Sequence, residues 1–184
     1  PLRTLGPAEH RLFRRFVGKA QYALPRRPDL LYATKELSRK LASPDEGDMT
    51  AVKRMGRYLR GAKNMALHLQ LDGDLSRLVG RSDSDWGGCK VTRKSTSCGM
   101  VSWGRFLLTT YCRQQSVLAL SSPEAEYYAA VSLLAEMLYL KNLFEFLGIE
   151  LPIHLEVDAS SAIAIASRMG VGRIRHLDTK YLWA

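Results

Sequence analysis

Six acidic residues stand out by position. Asp83 and Asp85 close the run Leu78-Val79-Gly80-Arg81-Ser82-Asp83-Ser84-Asp85-Trp86-Gly87-Gly88; Glu124 and Glu126 lie in Ser121-Ser122-Pro123-Glu124-Ala125-Glu126-Tyr127; Asp158 ends Ile153-His154-Leu155-Glu156-Val157-Asp158, and Asp178 ends Arg175-His176-Leu177-Asp178. Carboxylates gathered at one point are oxygen ligands for hard divalent cations. Glu126 carries most of this reading. One turn into an apolar-rich helix, in line with Ala130 and Leu133, an ionised carboxylate is costly unless a cation or another partner meets it. The other acids have ordinary roles open to them as well: Asp83-x-Asp85 as a polar strand end, Glu124 as a helix-dipole partner, Asp158 as a helix cap, and Asp178 as the first residue of a helix.

The elements that must position these groups follow from periodicity. Leu78 to Asp83 reads as a strand delivering a carboxylate to its own C-terminal end, with the Gly87-Gly88 pair opening a turn. Alternation places Arg81, Asp83 and Asp85 on one face and Ser82 and Ser84 on the other. Cys98–Trp103 and Phe106–Cys112, turning at Gly104, complete an antiparallel meander. Ser121 or Ser122 caps a helix that runs to about Leu147, where Gly148 stops it. Residues 153–158 form a further strand with a helix starting at Ala159, so Asp158 repeats the placement of Asp83 at a strand's C-terminal end, where ligand sites of α/β sheets gather. The loop Val91-Thr92-Arg93-Lys94-Ser95-Thr96-Ser97 is basic and rich in hydroxyls, suited to phosphate contact or to a solvated connection.

Residues 9–24, 29–42 and 43–60 carry helical stripes: Leu12, Phe13, Phe16, Val17 and Ala20; then Leu30, Leu31, Thr34, Leu37 and Leu41; then Val52, Met55 and Leu59. Pro28 sits at the start of the second helix, and Ser43 with Glu46 makes a capping box for the third, whose Lys53, Arg54, Arg57 and Arg60 point mostly outward. Met65 to Leu71 alternates and reads as a strand, followed by an Asp72-Gly73-Asp74 turn.

The 184 residues suffice for one ordinary domain plus an appended piece, and the formal net charge of +9 is unevenly spread. Residues 1–78 hold 16 Lys and Arg against 8 Asp and Glu, while residues 79–184 hold 11 against 10. The basic first part suits a polyanion, most simply nucleic acid, or else is a solvated helix surface. Three cysteines, an odd number without C-x-x-C spacing, argue against a disulfide framework or zinc ribbon and suit a reducing compartment. With no secretory leader and no apolar run able to span a bilayer, the expectation is an intracellular protein of cytoplasm or nucleus, not secreted and not in a membrane. The start at Pro1 and the end at Ala184, within a helical pattern, suggest a piece of something longer.

The order strand-Asp, meander, helix-Glu, strand-Asp, helix, loop-Asp resembles the ribonuclease H fold. The stretches Ser82-Asp83-Ser84-Asp85-Trp86-Gly87-Gly88, Arg93-Lys94-Ser95-Thr96-Ser97, Leu118 to Tyr127, Val157 to Ile163 and Arg175 to Tyr181 resemble the ribonuclease H domain of Ty1/copia-type retrotransposon Pol polyproteins. Residues 18–62 resemble the end of the same polyprotein's reverse transcriptase, its thumb and connection. The resemblance implies an α/β domain at 79–184 with a mixed five-stranded sheet flanked by helices, C-terminally truncated, after a basic helical remnant at 1–78. It implies that Asp83, Glu126, Asp158 and Asp178 hold two Mg²⁺ ions, with Mn²⁺ as the alternative, about 4 Å apart. It further implies hydrolysis of the RNA strand of RNA–DNA hybrids, with Arg93, Lys94, Ser95, Arg113 and Arg175 on the nucleic acid and the rest of Pol as partner. The polymerase's paired-Asp motif is absent, so this chain is not expected to synthesise DNA. Two other readings are a non-catalytic nucleic-acid-binding relic of a degraded element and a related nuclease acting on DNA.

Overall fold

A computed structural model describes residues 2–158. The chain forms two compact units, one of residues 2–68 and one beginning at Leu69.

The first unit holds α1 (Pro7–Ala23), α2 (Leu31–Ser38) and α3 (Glu46–Gly61), with a short 3₁₀ turn at Pro28–Leu30 before α2. Phe13, Val17 and Ala20 of α1 recur at helical spacing and meet Leu30, Leu37, Val52 and Met55 in a single core. Leu12, one residue off that stripe, stays half exposed. The second helix is shorter than the sequence predicts. After Ser38 the backbone tightens into i to i+3 bonds, with Lys40 N donating to Leu37 O and Leu41 N to Ser38 O, while Ser38 Oγ donates back to Thr34 O. The cap of α3 is Asp45 rather than Ser43: Asp45 and Asp48 exchange backbone-to-side-chain bonds of 3.0 and 2.9 Å. The start is displaced because residues 3–5 pair with the chain at 44–46, Leu5 N donating to Pro44 O and Glu46 N to Arg3 O, which keeps Asp45 extended. Lys53, Arg54, Arg57 and Arg60 of α3 are exposed, as their off-stripe positions require.

In the second unit β1 (Leu78–Ser84), β2 (Thr96–Trp103) and β3 (Phe106–Gln114) form an antiparallel meander; α4 (Ser122–Phe146) follows, and β4 (Ile153–Glu156) lies parallel to β1, giving the order β3-β2-β1-β4. The fold is therefore α/β with a mixed sheet of four strands among the described residues. The fifth strand of the expected arrangement is not among them. The stretch 65–71 forms no strand: Met65, Leu69 and Leu71 are all more than half exposed. Alternation marks a segment able to form a strand, but the strand exists only where a ladder partner takes up its N–H and C=O groups. Residues 69–77 instead attach to the sheet unit, where Trp103 Nε1 donates to Leu75 O (2.9 Å) and Arg105 N to Asp72 O (2.9 Å).

Helix α4 packs on one face of the sheet, and Gly80 permits it. A Cβ there would lie 2.2 Å from Met137 Sδ, so glycine leaves the space in which Met137 and Leu133 close over β1 to join Leu78, Val101, Tyr111 and Leu151 in the core. Ser121 caps α4, and Gly148 ends it at φ +77. On the opposite sheet face the cross-strand partners Cys98 and Cys112 bring their sulfurs to 3.0 Å, a proximity their spacing did not signal. No helix among the described residues is long and apolar enough to cross a membrane.

Two glycines should respond oppositely to Ala. Gly104 has φ +58 and an added Cβ would sit 2.0 Å from Asp72 O, so Gly104→Ala is expected to lower stability by about 1–3 kcal/mol. Gly18 lies inside α1 with open space around it, so Gly18→Ala is expected to raise stability by about 0.5–1 kcal/mol. Urea unfolding of the two variants checks both signs.

Candidate metal centre

The parallel pairing of β1 with β4 sets up the site. Arg81 and Glu156 are register partners, so two residues further along Asp83 and Asp158 leave neighbouring strands at the same C-terminal edge. Glu126 arrives from the first turns of α4 on the opposite side. One carboxylate oxygen from each of Asp83, Glu126 and Asp158 lies within 4.8 Å of the others, with Asp83 and Asp158 exposed and Glu126 buried. Asp178 and Arg175 lie outside the described residues.

Glu126 is held by β1 itself. Ser84 donates to its Oε1 twice, from the backbone N at 3.2 Å and from Oγ at 3.0 Å. Its Oε2 is buried with no hydrogen-bond partner. Burial pushes the Glu126 carboxyl above its usual range; Ser84 opposes the shift, and the charges of Asp83 and Asp158 add to it. The basic side chain on the same strand face, Arg81, is engaged by Glu156 at 2.7 Å. Three carboxylates within reach of one another, one of them with an unsatisfied buried oxygen, are hard oxygen donors and fit a divalent cation of the Mg²⁺ or Mn²⁺ class.

The two neighbouring acids serve the scaffold. Asp85, past the end of β1, accepts from Thr96 N and so turns away from the cluster instead of continuing the alternation. Glu124, 2% exposed, accepts from Leu120 N at 3.0 Å and from Tyr128 Oη at 2.6 Å, stitching the start of α4.

The basic loop divides as well. Arg93 is exposed, in a left-handed conformation (φ +57); Lys94 Nζ donates to Ser116 O. Ser95 is fully buried and its Oγ accepts from Gly87 N at 3.0 Å, which makes it part of the loop's framework. Arg113 pairs with Glu136 at 2.6 Å and stacks over Tyr111. Sequence reasoning missed Ser84 as the holder of Glu126, although alternation did put it on the face opposite Asp83, toward α4.

The class defined by fold and site is an α/β protein with a cluster of three carboxylates at the C-terminal edge of two parallel strands. No protein-family model matches the chain and no solved structure matches it. The retrovirus-related Pol polyprotein from transposon RE1 of Arabidopsis thaliana is 32% identical over 92% of the chain, and that from transposon TNT 1-94 of Nicotiana tabacum is 33% identical over 91%. A secreted RxLR effector protein, number 161, of Plasmopara viticola is 34% identical over 62% of this chain and 80% of its own length. The similarity to the two retrotransposon Pol polyproteins runs over nine tenths of the chain, which spans 12–13% of their length.

The raised carboxyl of Glu126 has a definite pH signature. An acid that binds its proton more tightly when folded contributes stability that is present below its unfolded value, about pH 4.3, and is lost as pH rises through the higher folded value. In chelator, Glu126→Gln is therefore expected to be more stable than wild type at pH 7, with the difference shrinking as pH falls toward 4. Denaturant unfolding at the two pH values measures the difference.

Proposed function

We propose that the sheet unit is a ribonuclease H-like nuclease that hydrolyses the RNA strand of RNA–DNA hybrids, acting within a retrotransposon Pol polyprotein. The single observation that carries this reading is the convergence of Asp83, Glu126 and Asp158 within 4.8 Å, with a buried carboxylate oxygen of Glu126 left for a cation. Asp178 is the fourth acid of the proposed set. Similarity to retrotransposon Pol polyproteins supports the reading, and the basic helices before the sheet then derive from the end of a reverse transcriptase.

Each residue has a stated task. Ser84 fixes one oxygen of Glu126 and leaves the other, buried, without a partner; the paired strands β1 and β4 bring Asp83 and Asp158 to one edge, and α4 carries Glu126 to it. When bound, a pair of divalent cations supplies a water of lowered pKa and charge stabilisation for the departing oxygen. The reaction adds water across the P–O3′ bond, leaving a 5′-phosphate on one product and a 3′-hydroxyl on the other. Arg93 is the exposed cation of the basic loop and is assigned to substrate phosphate.

The test is Mg²⁺-dependent cleavage of an end-labelled hybrid, with a DNA duplex of the same sequence as control for the 2′-hydroxyl. Asp158→Asn is expected to reduce cleavage to background while leaving stability without Mg²⁺ level or higher, since one of several crowded like charges is removed. Added Mg²⁺ should raise the Tm of wild type more than that of the variant. A variant cutting at wild-type rate removes Asp158 from the site.

A further inference from the structure

Residues 85–96 form a loop fixed along its length. Asp85 N donates to Thr96 O (3.1 Å), Gly87 N to Ser95 Oγ (3.0 Å), Cys89 N to Lys94 O (3.2 Å) and Arg93 N to Cys89 O (2.7 Å), and the Lys94 ammonium bonds Ser116 O. On this rigid loop Trp86 is 58% exposed. Its ring is not loose, because Nε1 donates to Ala119 O at 3.1 Å. Ala119 lies two residues before Ser121, the cap of α4, so the indole bridges the two elements that deliver the acids. It stands three residues beyond Asp83 on one side and touches the chain seven residues before Glu126 on the other.

An exposed tryptophan whose N–H is already satisfied by the protein presents its π-face and edge carbons as its remaining surface. Such a ring recognises a partner by stacking rather than by a polar contact. Leu118 and Leu120, which flank Ala119, are themselves 48% and 59% exposed. Around the ring the loop carries Lys90, Arg93 and Lys94, while its only acid, Asp85, is bonded to Thr96 N. An exposed, anchored ring on a basic loop, tied between the two elements that deliver the acids, suits a nucleic acid strand: sugar and base on the ring, phosphates toward the cations.

We propose that Trp86 is a stacking ledge for a nucleotide next to the scissile phosphate, gripping substrate without regard to base sequence. The inference rests on the nuclease reading above and assigns a substrate contact to a residue outside the acidic cluster. Stacking adds no charge, so it contributes affinity but no counterion release.

The experiment is fluorescence-anisotropy binding of a labelled RNA–DNA hybrid to the full chain, with Ca²⁺ in place of Mg²⁺ to suppress turnover. Trp86→Ala is expected to weaken binding roughly ten-fold or more and Trp86→Phe by less than about three-fold, with the slope of log Kd against log[salt] unchanged in both. The Mg²⁺-induced rise in Tm should equal that of wild type, which separates this residue from the cation site. A chain keeping Trp86 as its only tryptophan (Trp103→Phe, Trp183→Phe) should show its fluorescence quenched on titration with hybrid; this decides the matter where the Ala variant does not fold. Trp86→Ala binding within two-fold of wild type, or unquenched Trp86 emission at saturation, overturns the ledge alone. Wild type with no affinity for hybrid overturns the nuclease reading and the ledge with it.

Discussion

The sheet unit depends on one buried carboxylate tied to a strand end. Ser84 donates twice to Glu126 Oε1, which fixes the start of α4 against the C-terminal edge of β1. Burying an acid in this way is unfavourable until something meets its second oxygen, so the fold holds an unfavourable group in place rather than relaxing it. The buried group constrains everything around it: α4 must lie close enough for the contact, and Gly80 is where the sheet gives way to Met137.

Two kinds of acid occur within a few residues of each other. Asp85 and Glu124 have their oxygens occupied by Thr96 N, Leu120 N and Tyr128 Oη, and they shape the loop and the helix start. Asp83 and Asp158 stand exposed at strand ends, and their shared orientation comes from the parallel register of β1 and β4. The stitched acids make the frame stiff, and a stiff frame keeps three like charges together. The same division runs through the basic loop, where Ser95 is internal and Arg93 external.

The helical unit follows different physics. Its core is a simple meeting of three amphipathic faces, and its chemistry lies outside, in the exposed Lys53, Arg54, Arg57 and Arg60 of α3. A positively charged helix face of this kind is solvated until a polyanion or an acidic partner covers it.

The amino-acid sequence by itself determined what depends on near neighbours. The stripes Phe13-Val17-Ala20 and Val52-Met55, the Ser121 cap, the Gly148 stop and the turn at Gly104 are local and were legible, and so was the inward direction of Glu126, since one helical turn fixes it against Ala130 and Leu133. Tertiary structure decided what depends on a partner far along the chain. Residues 65–71 alternate like a strand but find no ladder; Asp45 replaces Ser43 as a cap because residues 3–5 pair beside it; Ser95 and Asp85 turn inward because the loop closes on β2. The distance between Asp83, Glu126 and Asp158 belongs to the same class, because 43 and 32 residues separate them and only the parallel register of β4 on β1, with α4 laid across, brings them together. Periodicity reports which face a residue takes, whereas proximity is settled by pairing and packing, which no short window of sequence contains.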